Sequence, residues 1–61
     1  MLFTSYIGKT NPGHTYVAEN ISGAVTMFIN DNPTFRVVES DRENSIVILE
    51  DRDGMVAKIW G

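Results

Sequence analysis

Between Ile21 and Ile29 the apolar residues Ile21, Ala24, Val25, Phe28 and Ile29 recur at i, i+3, i+4, i+7 and i+8, which places them on one stripe of an α-helix. Asn20 stands just before the stripe with the side chain of a helix cap. Glu19 lies where the helix dipole is positive, and Asn30, Asp31, Asn32 and Pro33 stop the helix. Gly23, in the first turns, costs about 1 kcal/mol relative to alanine and reads either as simple tolerance or as a place where the backbone approaches a sheet or partner closely. A helix of about three turns does not stand alone in water, so its stripe needs a sheet to lie on.

The rest of the chain supplies that sheet. Leu2 to Ile7 is rich in aromatic and β-compatible residues and reads as a strand. Gly8 to Gly13 is dense in turn formers, and His14 to Ala18 returns as a second strand, giving an amino-terminal hairpin. Beyond Pro33 the strands are Thr34 to Glu39, Ser45 to Glu50 and Met55 to Trp60. Ser40 to Asn44 and Asp51 to Gly54 join them, with Asp53-Gly54 as a tight-hairpin signal. The predicted fold is α+β. A single domain over residues 1–61 has one helix packed on one face of a small antiparallel sheet, in the order β-β-α-β-β-β.

One helix covers only one side of a sheet, so the strands should alternate apolar and polar. They carry too many apolar residues for that. With Phe35, Val37, Ile46, Ile48, Met55, Ala57 and Ile59 turned to the helix, Val38, Val47, Leu49, Val56 and Trp60 face away as a second apolar patch. Patches of that kind on small domains mark contacts. Three coverings fit the sequence: a second copy of the chain, a different protein, or the amino-terminal hairpin folded over the sheet. Trp60 is the expected anchor, because tryptophan is over-represented among the residues that dominate binding energy; the other reading of its ring is a seal at the end of the core.

Composition sharpens this picture in three ways. At 61 residues without cysteine, the chain is too small for a generous core and has no disulfide to compensate, which leaves self-association or a bound partner as the stabilising device. The net charge of −3 and the scatter of Lys9, Arg36, Arg42, Arg52 and Lys58 argue against nucleic acid as a partner. Acidic residues gather between Glu39 and Asp53, where Glu39, Asp41, Glu43, Glu50, Asp51 and Asp53 outnumber Arg42 and Arg52. They read either as two solvated turns or as an acidic edge for a basic groove. Neither a signal peptide nor a membrane-spanning run is evident, so the expected setting is the cytoplasm, with no membrane partner. The Asn20-Ile21-Ser22 sequon has no meaning there.

Fragments of chemical motifs fail on spacing. Gly8-Lys9-Thr10 matches the tail of a phosphate-binding loop, but Phe3 stands where that loop needs its first glycine. Asp51, Asp53 and Gly54 match part of a calcium loop whose first and last ligand positions would be Leu49 and Trp60. His14 is the sole histidine, and Ser5, Ser22, Ser40 and Ser45 are nucleophiles by composition only. Asp51 and Asp53 with Lys58 lack the spacing of a metal-dependent nuclease. The expectation is a protein without catalytic residues, metal, cofactor or small-molecule substrate.

From Tyr16 to Val38 the chain resembles a known group. A strand closing in Tyr16-Val17-Ala18, a short helix around Ala24, a stop and then Phe35-Arg36-Val37-Val38 is similar to small phage-encoded inhibitors of bacterial RNA polymerase. Two further strands after Val38 and a longer amino-terminal segment depart from that group. The resemblance implies a compact protein that blocks a host enzyme by surface contact, in the host cytoplasm. On that reading Glu39, Asp41, Arg42 and Glu43 steer the encounter, while Val47, Leu49, Val56 and Trp60 form the apolar anchor. The alternative is a structural or regulatory homo-oligomer, a homodimer in its simplest form, assembled through the same sheet face.

Overall fold

The computed structural model describes residues 1–8 and 13–61. Its elements are β1 (Leu2–Ile7), β2 (His14–Val17), α1 (Ile21–Asp31), β3 (Arg36–Asp41), β4 (Ile46–Glu50) and β5 (Val56–Trp60). The turn expected over Gly8 to Gly13 falls largely in residues 9–12, outside the described residues, as do Lys9 and Thr10 of the phosphate-loop fragment. Among the described residues no helix is long and apolar enough to cross a membrane.

The five strands form one sheet in the order β2-β1-β5-β4-β3, with every neighbouring pair antiparallel. The hairpins β1–β2, β3–β4 and β4–β5 are sequence-local, whereas the two halves of the sheet join through β1 and β5, Thr4 opposite Trp60 and Ile7 opposite Ala57. The amino-terminal hairpin therefore widens the sheet and does not fold over it, which removes one of the three expected coverings. The link from β2 to β3 must run from one edge of the sheet to the other. At about 1.5 Å per residue the 11 residues of α1 reach roughly 16 Å, close to the ~19 Å spanned by four strand spacings. The helix is thus the crossover and the cover at once.

Helix signals behave as the sequence predicts. Asn20 caps the amino terminus, its Oδ1 accepting from the Gly23 amide at 2.9 Å. Ala24 and Phe28 are buried, with Ile21, Val25 and Ile29 packed around them. Helical geometry continues two residues past Ile29, to Asp31. Asn32 then closes the helix, its amide and its Nδ2 both donating to the Phe28 carbonyl, at 2.9 and 3.0 Å. At Gly23 a Cβ would stand 3.3 Å from the Ala18 Cβ, a tight contact that its neighbour would have to ease by a few tenths of an ångström, so the helix start passes close to the residue that follows β2.

Between helix and sheet, Phe28 of α1 and Leu49 and Ile59 of the strands are fully enclosed, with Phe3, Tyr16, Val47 and Ala57 around them. The Phe28 ring meets Phe35 edge-on at 5.3 Å and Tyr16 at 6.4 Å, the arrangement aromatic quadrupoles favour. Two of the expected outward residues are corrected here. Val47 (5 % exposed) and Leu49 (0 %) lie under the helix, and Ile46 and Ile48 take the outer face. Register is the cause: Val47 lies opposite Ile59 and Leu49 opposite Ala57, and both partners are core residues. A strand's facing side chains share a side of the sheet, so β4 inherits its phase from β5.

Strand β3 begins and ends two residues later than expected, because Phe35 closes the turn after the helix, its amide donating to the Asn32 carbonyl at 3.1 Å. It also carries a bulge. Val37 lies opposite Leu49 and Glu39 opposite Ile48, leaving Val38 as the extra residue. Past the bulge the alternation reverses, which sends Glu39 and Asp41 to the outer face and Ser40 to the helix side. The β4–β5 turn is also not the two-residue hairpin that Asp53-Gly54 suggested. Only Gly54 takes a positive φ (85°), and Asp51 closes a wider turn, its amide donating to the Met55 carbonyl at 3.0 Å.

Candidate docking surface

The face of the sheet opposite the helix is covered by none of the described residues. Antiparallel register arranges it in rows. Tyr6, Lys58, Ile48 and Glu39 follow one another across β1, β5, β4 and β3; Thr4, Trp60, Ile46 and Asp41 form the next row. A third row carries Val56, Glu50 and Arg36. Ile46, Ile48 and Trp60 hold the middle of the surface with Lys58 beside them, and Glu39 and Asp41 stand on the β3 edge. Tyr6 and Val56 are well exposed, at 37 % and 46 %, while Trp60, Ile46 and Ile48 are half-buried by their neighbours.

Two depressions shape this surface. A shallow apolar cleft of about 410 Å³ runs between Tyr6, Val56 and Trp60. Lys58 borders it, its Nζ 5.5 Å from the centre of the Trp60 ring, within the range where a cation is drawn to an aromatic face. The second, about 240 Å³, has Ile46 and Ile48 as its floor and Glu39, Asp41 and Lys58 around it. Its chemistry suits a long basic side chain, whose methylenes would lie on the isoleucines and whose charge would meet the carboxylates.

The expected steering residues divide. Glu39 and Asp41 share the outer face through the bulge. Asp41 is also fixed in place: Asn44 donates to it from Nδ2 at 2.7 Å and from its amide at 3.3 Å. These bonds hold the Asp41 carboxyl below the usual carboxylate range, so it keeps its negative charge in mildly acidic solution. Arg42 instead lines a recess on the helix side with Ile21, Val25 and Val37, and Glu43 sits exposed in the turn. Arg42 is thus separated from the acids it was grouped with. The anchor divides in the same way: Val56 and Trp60 stand on the surface, Val47 and Leu49 do not. Tyr6 and Lys58 also belong to the face, and the alternation of Lys58 with Ala57 and Ile59 is the sequence signal that turns Lys58 outward; Ile46 and Ile48, expected beneath the helix, join them through the register of β4 with β5.

The motif fragments acquire structural roles. Asp51 Oδ1 accepts from the amides of Asp53 (2.9 Å) and Met55 (2.8 Å), so its carboxylate organises the hairpin turn. Among the described residues no three His, Asp or Glu side chains gather as metal ligands would. Ser5, buried with 2 % of its surface exposed, donates its hydroxyl to the His14 carbonyl at 3.1 Å and not to the imidazole ring. His14 itself packs edge-on against Tyr16, with ring centres 4.6 Å apart.

Tyr16 links this corner to the helix end, its hydroxyl donating to Asp31 Oδ2 at 3.1 Å. Burial, with the adjacent Asp31 carboxylate, raises the phenol above its ordinary value of 10.0. A raised folded-state value favours the protonated phenol. The stability it adds is full below the ordinary value and is lost as pH rises through the raised one. Tyr16→Phe is therefore expected to cost about 0.5–1.5 kcal/mol in urea unfolding at neutral pH. It should also flatten the alkaline decline, and an unaltered alkaline slope would show that Tyr16 is not its source.

Comparison with protein families, with curated proteins and with solved structures finds no match to this chain.

Proposed function

We propose that this chain is a non-catalytic protein-binding module whose docking surface is the outer face of its sheet. The observation that carries the reading is the uncovered centre of that face, where Trp60, Val56, Ile46 and Ile48 lie together in a domain whose helix α1 is committed to the other side. Exposed apolar surface costs a small domain solubility, and a partner that covers it removes the cost. The acidic edge at Glu39 and Asp41 complements a partner with basic groups, which would raise the encounter rate and fix orientation more than affinity.

In the reading implied by the resemblance of residues 16–38, the partner is a host enzyme in the bacterial cytoplasm and the module is its inhibitor. In the homo-oligomer reading the face meets its own copy. Both use the same surface; lysate capture tests it where the partner is a different protein, and self-association tests it where the partner is a second copy. Protein captured from a bacterial lysate by the wild-type chain should be lost with Trp60→Ala and with Ile48→Ala. It should be retained with Thr26→Ala, on the exposed side of the helix. A protein captured equally by all four folded chains, or lost only with the helix variant, would overturn the outer face as the docking surface.

A further inference from the structure

The outer rows of β5, β4 and β3 carry their charges in an order that suits one symmetry. Across these strands the rows read Lys58, Ile48, Glu39, then Trp60, Ile46, Asp41, then Val56, Glu50, Arg36. In each of the first two rows an isoleucine stands at the centre, with an acid on the β3 side. A face packed on its own copy about a two-fold axis parallel to the strands and centred on β4 lays β4 over β4, and β5 of each chain over β3 of the other.

We propose that the outer face docks a second copy of this chain about that axis, an inference that rests on the docking-surface reading above. The arrangement sets Lys58 of each chain against Glu39 of its partner twice over. Ile48 meets Ile48 and Ile46 meets Ile46 at the centre, and Trp60 lies over the Asp41 end of the opposite β3. Each slot floored by Ile46 and Ile48 thereby receives the lysine its carboxylates call for. Two other aligned two-folds do worse. An axis along β5 places Lys58 on Lys58, and an axis across the strands midway between the first two rows sets Glu39 against Asp41. The axis along β4 does bring Glu50 near Glu50. That residue lies at the last position of β4, where twisted sheets diverge, and Arg36 is its cross-strand neighbour.

A contact three strands wide is small beside the roughly 800 Å² per partner of a standard interface, so the dimer is weak. It should be sought by sedimentation equilibrium from about 10 µM to about 1 mM. Wild-type protein is expected to show concentration-dependent dimerisation. Lys58→Glu and Glu39→Lys, both at exposed positions that leave the core untouched, should each weaken it at least about tenfold, since each sets like charges together. Mixing the two variants restores both ion pairs, and the mixture should form a one-to-one heterodimer of near wild-type affinity. A wild-type chain that stays monomeric throughout overturns the second copy as occupant. So does a dimer indifferent to either reversal, or a mixture no tighter than its components. A monomer that still loses lysate capture with Trp60→Ala and Ile48→Ala keeps the docking surface and replaces its occupant, whereas a monomer whose capture ignores both variants ends the two readings together.

Discussion

Phe28→Ala is expected to leave the chain largely unfolded at room temperature. The ring is 1 % exposed and fills the centre of the core, with Phe35 and Tyr16 edge-on to it. Truncating a buried phenylalanine removes about 3–5 kcal/mol. A chain of 61 residues has only roughly 3–9 kcal/mol of stability in total. Far-ultraviolet circular dichroism during urea titration would show a transition shifted close to zero denaturant. A midpoint within a few tenths molar of wild type would mean that the helix does not depend on this contact.

The second large effect separates two adjacent residues. Leu49→Ala should cost about 2–5 kcal/mol, because Leu49 is completely enclosed and its loss opens a cavity that the sheet cannot close. Ile48→Ala, one position earlier and on the opposite face, should cost about 1 kcal/mol in the isolated chain. It should instead weaken whatever association the outer face supports. Urea titration of both variants, paired with sedimentation, distinguishes the faces. If Ile48→Ala proved the more damaging to the fold, the phase of β4 would be reversed and the proposed surface would lie under the helix.

That contrast also marks where the sequence was legible. The helix could be read because its apolar stripe is flanked by polar residues, which leaves one choice of buried face. Strand β5 could be read for the same reason, with Lys58 between Ala57 and Ile59. In β4 the run Ile46-Val47-Ile48-Leu49 has no polar residue to set its phase, so alternation is silent. Only the register imposed by the Asp51 turn decides it. The bulge at Val38 was harder still. Nothing in Val37-Val38-Glu39 announces an extra residue, yet it moves Glu39 and Asp41 onto the face that carries the functional proposal. Arg42 was grouped with those acids by proximity along the chain, and the turn carries it to the other side.

Pairing between β1 and β5 has a consequence for how the protein is made. As the chain leaves the ribosome, the amino-terminal hairpin and the helix emerge with no central strand to receive them. The two halves of the sheet stay unjoined until Val56–Trp60 has been synthesised. Productive folding must therefore wait for the last strand, with the loop-closure entropy of the whole intervening chain to overcome at once. During that interval the nascent protein exposes both its future core and its outer face to the machinery that attends emerging chains.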